Sequence, residues 1–486
     1  MKHPASRRSP HPMNRKNVFC ALLIGLLAPG SALLAADPWK AGAASISITP
    51  DLPMWMSGYG ARVRPGDQVA APLHAKALAI EDAGGGTVVI VTTDLLGIPK
   101  ILRQAVEADV SRRYGLARSQ LLLNASHTHS GPELRGVKTS LNDLDPARSA
   151  RVAAYQKQVQ ERIVTVIGQA LDRRKASTVS FSKARAGFAM NRRKDHALRP
   201  DQPGHDKVPN PYGPVDHEVP VLVATDATGR MQAVLFGYAC HNTTSGDYAF
   251  HGDYAGFAQA NLEETYPGIV ALFMTGCGGD QNPYPRGPMV PGHSAIDLAR
   301  RHGVSLASAV QAALNAHPRP LAGRLSSELE EVNLPYQTVP TRQELEERLR
   351  SKSQPDRDYA QVLLEWLDRD GRLPDHYAYP VQVVHFGRDL VLVGLASETV
   401  VDFSIRLKRE LTGPSVWVAG YCNDFMGYIP SRRIWEEGGY EGGVALTYRR
   451  DTMYRILHPG IWDPSVEDLI VGKVHQLNSQ LKQATP

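Results

Sequence analysis

Short, wholly apolar runs along the chain alternate with longer segments of helical period. The runs at 87–93 (TVVIVTT), 120–125 (QLLLNA), 220–225 (PVLVAT), 233–239 (AVLFGYA), 269–275 (IVALFMT), 381–386 (VQVVHF), 390–395 (LVLVGL) and 415–419 (SVWVA) read as buried strands. Helical periodicity with good helix formers marks 147–174, 293–315, 341–369 and 464–482. Continuous apolar strands interleaved with helices predict an α/β core covered by helices on both faces. Loops are expected at 200–214 and around Gly371–Pro380, and no internal repeat interrupts the pattern.

The residues just beyond these strands are chemically distinctive. The run 87–93 ends at Asp94, and 120–125 leads into Ser-His-Thr-His-Ser-Gly-Pro at 126–132. Strand 233–239 exits at Cys-His-Asn-Thr-Thr (240–244), with His-Gly-Asp-Tyr close behind at 251–254. Strand 269–275 exits at Gly-Cys-Gly-Gly-Asp-Gln-Asn-Pro (276–283), 390–395 at Ala-Ser-Glu-Thr (396–399), and 415–419 at Gly-Tyr-Cys-Asn-Asp-Phe-Met-Gly-Tyr (420–428). Ligands of α/β sheets bind beyond the carboxyl ends of strands, so six such ends predict one site drawn from most of the chain.

Composition places that site in an exported protein. Arg7, Arg8, Arg15 and Lys16 precede an apolar stretch from Val18 to Leu27 and a small-residue exit at Ala35-Ala36-Asp37. This is the pattern of a secretory signal peptide, and the stretch is too short to span a bilayer. We therefore expect a leader at 1–36 and one catalytic domain at 37–486. The chain carries 54 Lys+Arg against 49 Asp+Glu. Five of the bases (Lys2, Arg7, Arg8, Arg15, Lys16) and none of the acids lie in the leader, so the mature chain is formally neutral. That balance argues against nucleic acid as a partner, and no later stretch has the length and apolarity of a membrane span. Cys240, Cys277 and Cys422 remain after the leader; they lack CxxC spacing and read as small buried residues near the site.

The candidate residues divide by chemistry. His127 and His129, two apart in an extended segment, point to one side and can reach one ion. Glu398 directly follows a buried strand, where a carboxylate is costly unless paired, metal-bound or capping the next helix. Gly-Cys-Gly-Gly-Asp fits a tight turn or an anion-holding nest, but lacks the Lys-Ser/Thr of a P-loop.

In order, these segments resemble the catalytic domain of the neutral (non-lysosomal) ceramidase family. The similarity begins at Ala44–Pro50 and Met54-Trp55-Met56-Ser57-Gly58-Tyr59-Gly60. It continues through Asp94, His127–Pro132, Asn191-Arg192, the His241 segment, Glu398, Asn423–Ile429 and Tyr440-Glu441. The resemblance implies a single domain with a mixed-sheet core, and one zinc bound by His127, His241, Glu398 and Tyr428. It implies His129 as proton carrier, with Arg192 and Tyr440 facing the scissile group of a small-molecule or lipid-like N-acyl substrate. Zinc held by nitrogen and oxygen ligands lowers the pKa of its water toward roughly 7, which suits hydrolysis of an amide or ester.

Two departures separate the chain from ceramidase proper. Asn282 stands where the family has a serine before proline, so it is expected as an oxyanion donor and not as a nucleophile. The family's β-sandwich domain also has no counterpart before the chain ends at Pro486. An esterase or deacylase acting on another acylated molecule or glycan, or a binding protein that retains the fold, are the alternative readings. The metallo-β-lactamase HxHxDH pattern is excluded by Gly131-Pro132.

Overall fold

The computed structural model describes residues 39–60, 62–134, 146–193, 209–287, 292–444 and 458–483. The leader and residues 200–208 of the expected loop lie outside them. Residues 37–486 form one compact unit.

Twelve principal strands build two mixed sheets. The first holds β1 (Lys40–Ser47), β2 (His74–Glu81), β3 (Thr87–Thr93), β4 (Leu121–Ala125), β5 (Lys175–Arg185), β6 (Glu218–Asp226), β7 (Met231–Tyr238) and β8 (Val270–Thr275). Their order is β8-β7-β6-β5-β1-β2-β3-β4, with Arg319–Pro320 pairing on β5. The second is β9 (Leu325–Pro335), β10 (His376–Phe386), β11 (Leu390–Leu395) and β12 (Ser415–Ala419), in that order. β1 and β5 pair over only Lys40–Ala41 with Lys175–Ala176. The first sheet folds back there until its edge strands meet, where the Thr275 N–H donates to Asn124 Oδ1 at 3.0 Å.

The apolar runs are continuous because both faces of these strands are buried. In β3, Val88 and Ile90 point into the core shared by the sheets, with Leu235, Met274, Leu392 and Trp417. Val89 and Val91 point the other way, onto helices α1 (Lys100–Tyr114) and α2 (Pro146–Asp172). Helices α3 (Asp253–Thr265) and α4 (Ala295–Asn315) cover the outer face of β6–β8 in the same manner. The outer face of the second sheet is covered by α7 (Val401–Glu410) and α9 (Val466–Gln483). Helices thus cover both outer faces, as expected for a mixed α/β fold, while the inner faces of the sheets cover each other.

Some boundaries differ from the sequence pattern for identifiable reasons. The segment 341–369 is two helices, α5 (Arg342–Arg348) and α6 (Gln354–Asp370). Ser353 caps α6 by accepting from Asp356 N–H, which starts a new helix inside the periodic stretch. The expected loop at Gly371–Pro380 is a loop only to Asp375, because His376–Pro380 pair with Pro335–Glu331. The helices α1, α3, α7 and α8 (Arg432–Glu437) add to those the periodicity marked.

Candidate functional site

Among the principal strands three pairs are parallel: β3 with β4, β7 with β8, and β11 with β12. Their six carboxyl ends converge. Bridges tie the exits together at Asn124–Cys422, Gly276–Ala419 and Thr128–Asn242. The Asn124 side chain lies between them, donating to Gly420 O at 2.7 Å and accepting from Thr275 N–H.

His127, His129, His241, Glu398 and Tyr428 are brought to one point, all buried. Each strand exit supplies one of these residues or a group that positions one. The carbonyl of Leu96, beyond β3, lies 2.7 Å from His127 Nδ1, and that of Gly278, beyond β8, lies 2.7 Å from His241 Nδ1. A carbonyl only accepts, so both rings carry the proton on Nδ1 and turn a bare Nε2 inward. Glu398 Oε2 stands 3.3 Å from His127 Nε2 and 3.1 Å from His241 Nε2. Tyr428 Oη lies 3.3 Å from His241 Nε2. Glu398 and Tyr428 are held together by a short parallel pairing of Glu398–Thr399 with Tyr428–Ile429.

His127 Nε2, His241 Nε2 and Glu398 Oε2 are acceptors facing one another, while the protonated Tyr428 hydroxyl can donate to His241 Nε2. Burial and the nearby Arg192 charge push His241 down to about 4, so it is neutral at physiological pH. Burial alone would raise Glu398, yet positive charge on the two histidines would hold it well below the carboxylate range. A cation among these groups would pair with the buried carboxylate and occupy the bare Nε2 atoms together. His127, His129 and His241 have ring nitrogens within 4.8 Å of one another and could hold a metal ion. His129 differs from the other two in its far side. Its Nε2 lies 3.1 Å from His127 Nε2, but its Nδ1 is buried without a partner among the described residues. Metal-bound histidines almost always donate that second N–H, so His129 fits the proton-carrying role better than a ligand's. Burial lowers its pKa well below the usual value.

The backbone is shaped for this arrangement. His127, Ser397, Tyr421 and Asn423 all have left-handed φ, between 55° and 63°. Such strain in non-glycine residues costs about 1–3 kcal/mol each and persists where surrounding contacts hold it. Asn423 is held on β4: its N–H donates to Leu123 O and its Oδ1 accepts from Leu123 N–H. The glycine-rich turn is explained by close approach. A Cβ on Gly278 would lie 2.7 Å from Cys240 N, and one on Gly279 2.5 Å from Glu398 O. Asp280 then caps α7 by accepting from Val401 N–H at 2.9 Å, which leaves Glu398 free of the capping role. Gly58 (φ 101°) is required because a Cβ there would lie 2.6 Å from His129 Cα, and Tyr59 packs edge-on against the His129 ring at 4.8 Å.

Arg192 is the hub beside this cluster. Its Nη2 donates to Tyr428 Oη (2.9 Å), its Nε to Glu441 Oε1 (2.8 Å) and its Nη1 to Asn282 Oδ1 (3.3 Å). Burial would lower its pKa, but Tyr428 and Glu441 hold it well above the usual value, so it stays charged. Burial raises Tyr428, and the guanidinium opposes that rise. Asn282 also accepts from Thr243 Oγ1 at 3.5 Å, so its oxygen is engaged and its NH2 faces the other way. Tyr440 is half-buried, with its ring T-shaped against Tyr428 at 5.2 Å. The roles of Glu441, Arg193 and Tyr59 were not assigned from the sequence, although Tyr59 and Glu441 sit inside segments of the family pattern. Cys240, Cys277 and Cys422 are buried free thiols, and burial raises all three.

The loop bearing Tyr428 is anchored from the C-terminal segment. Trp462 Nε1 donates to Tyr428 O at 2.9 Å, and His458 bridges Tyr336 Oη and Met426 O. Burial pushes His458 down to about 4. A histidine kept neutral in the fold contributes stability fully above its unfolded pKa of about 6.5, and loses it as pH falls toward 4. The full loss is about 3 kcal/mol. His458→Gln should therefore flatten the acid limb of stability. Denaturant titrations of both proteins at pH 7, 5.5 and 4 check this, and a pH-independent difference between them contradicts it.

Comparison with known proteins agrees with this geometry. Residues 39–298 match the family described as neutral/alkaline non-lysosomal ceramidase, N-terminal. Among solved structures, the neutral ceramidase from Pseudomonas aeruginosa superposes with a TM-score of 0.70 at 19% identity, covering 92% of this chain and 75% of that one. A ceramidase complexed with C2 gives 0.70 at 18% identity, covering 92% and 76%. At these identities the likeness is one of fold. No curated protein matches in sequence. No helix among the described residues is long and apolar enough to cross a membrane. With its site at the joined strand ends, its fold shared with these structures and more than half its length matched, the chain belongs to the neutral/alkaline non-lysosomal ceramidase family.

Proposed function

We propose that this chain is an exported zinc-dependent hydrolase that cleaves the amide bond of an N-acyl substrate, with residues 1–36 as leader and 37–486 as one catalytic domain. The observation that carries this reading is the buried cluster in which three acceptors, His127 Nε2, His241 Nε2 and Glu398 Oε2, face one another with Tyr428 Oη beside them. Two imidazoles with two oxygen donors suit zinc, and bound zinc supplies a water reactive near neutral pH together with a Lewis acid for the carbonyl.

The surrounding side chains do the rest. His129, neutral through burial, takes a proton from the attacking water and passes it to the leaving amine. The Asn282 NH2 and Tyr440 Oη donate to the oxygen that gains charge. Arg192 holds Tyr428 and Asn282 in place, and its charge favours loss of the Tyr428 proton.

The test is metal content and turnover measured together. Purified mature protein should carry close to one zinc per chain and hydrolyse N-acyl compounds in a chelator-sensitive manner. The mature chain has no net charge with which to dock on an anionic bilayer. Soluble short-acyl substrates should therefore be preferred over long-chain ceramide in vesicles. Turnover rising steadily with acyl length would contradict that preference, and absence of metal would contradict the mechanism.

A further inference from the structure

Four arginines among the described residues stand near the catalytic end, and three have their charge engaged. Arg192 and Arg193 pair with Glu441 and Glu437. Arg62 donates to the carbonyls of Ser57, His129 and Asp247. Arg286 is half-buried and, among the described residues, makes no hydrogen bond or ion pair. Its guanidinium lies 6.0 Å from the centroid of the Tyr284 ring.

The backbone fixes where this cation stands. The segment leaves Asn282–Pro283, which pair with Met190 and Ala189. The Tyr284 N–H then donates to Phe188 O at 2.8 Å, and the Gly287 N–H to Thr244 O at 3.3 Å. The adjacent Thr243 O accepts from Tyr59 Oη at 3.3 Å, and Tyr59 packs on His129. Arg286 therefore borders the wall built from Thr243, Thr244 and Tyr59, on the His129 side of the site. Its positive charge reaches Tyr59 and Cys240, acting to lower both. His129 is the group that protonates the departing amine, so the amine half of the substrate occupies this side.

The buried Asp253 carboxylate accepts from the Thr244 and Ser245 N–H groups and makes no ion pair with Arg286, and a half-buried guanidinium without an ion-pair partner can grip an oxyanion with two parallel N–H bonds. We propose that Arg286 binds an anionic group on the amine half of the substrate, so that the preferred substrates are N-acylated amines bearing a carboxylate or phosphate, N-acyl amino acids being the simplest. This rests on the amidohydrolase reading above and narrows it.

The test uses three probes of equal acyl length: N-octanoylglycine, N-octanoylethanolamine phosphate and the neutral N-octanoylethylamine. Binding is measured by calorimetry and hydrolysis by kcat/KM, on the zinc-loaded wild type, Arg286→Gln and Arg286→Lys. At least one acidic probe should bind tenfold or more tightly than the neutral one, and the better of the two identifies the anion. That preference should collapse in Arg286→Gln, mainly through KM, and return in part in Arg286→Lys. An acidic-over-neutral ratio near one in the wild type, or one unchanged in Arg286→Gln, overturns the proposal. If acidic probes bind with the Arg286-dependent preference but no amide is cleaved, the hydrolase reading fails and the anion site stands.

Discussion

His127→Ala and His241→Ala should each lose the bound metal and fall to background activity, whereas His129→Ala should keep the metal and lose rate. Three histidine nitrogens lie close enough to share one ion, so proximity alone does not divide these roles. The far side of each ring does. His127 and His241 are oriented through Nδ1 by the carbonyls of Leu96 and Gly278, while His129 Nδ1 has no partner among the described residues. A ligand braced in this way has its tautomer and direction fixed before the metal arrives. His129 remains able to exchange protons, and removing a general acid–base group typically costs about 10²–10⁴-fold in rate. Elemental analysis beside steady-state kinetics separates the two outcomes. If His129→Ala loses zinc as readily as His127→Ala, His129 is a ligand and its role as proton carrier is wrong.

Asn282→Ala should lose roughly a hundred- to thousandfold in kcat, about 2.7–4 kcal/mol of transition-state stabilisation, with the metal retained. The geometry directs its chemistry: Arg192 and Thr243 occupy the carboxamide oxygen, which turns the NH2 away from them. A carboxamide cannot be acylated in a productive cycle, so attack comes from water with no covalent intermediate. Asn282→Ser should recover part of the rate, because a hydroxyl can also donate. Adding an amine nucleophile should produce no transacylation product. Acylated protein that forms and decays at the turnover rate would sink this mechanism, and an unchanged rate in Asn282→Ala would remove the residue from the site.

Much of the fold was legible because burial on both faces leaves an unmistakable trace. β3, β11 and β12 coincide with their apolar runs, since side chains on either side must be hydrophobic. The apolar runs missed β1, β2, β5 and β9, and two of these show why. β9 is the polar edge of the second sheet, with Leu325 and Leu334 as its only fully buried residues. β1 is rich in alanine and glycine because α2 packs directly on it, where a Cβ on Gly42 would meet Ala170 O at 2.4 Å. Small residues carry little strand signal, though here they are a packing requirement.

The candidate residues were recognisable by type and by their place after strands, and the family pattern singled them out from 17 histidines. Order along the chain also predicted that six strand ends would share one site. Which atom of each residue faces which partner was decided only in three dimensions. The Nδ1 bonds of His127 and His241 reach carbonyls 31 and 37 residues away, and Arg192 reaches Tyr428 across 236. A chain determines residue type and local period by itself. Tautomer and amide orientation depend on groups that meet only when the three parallel strand pairs close around one core.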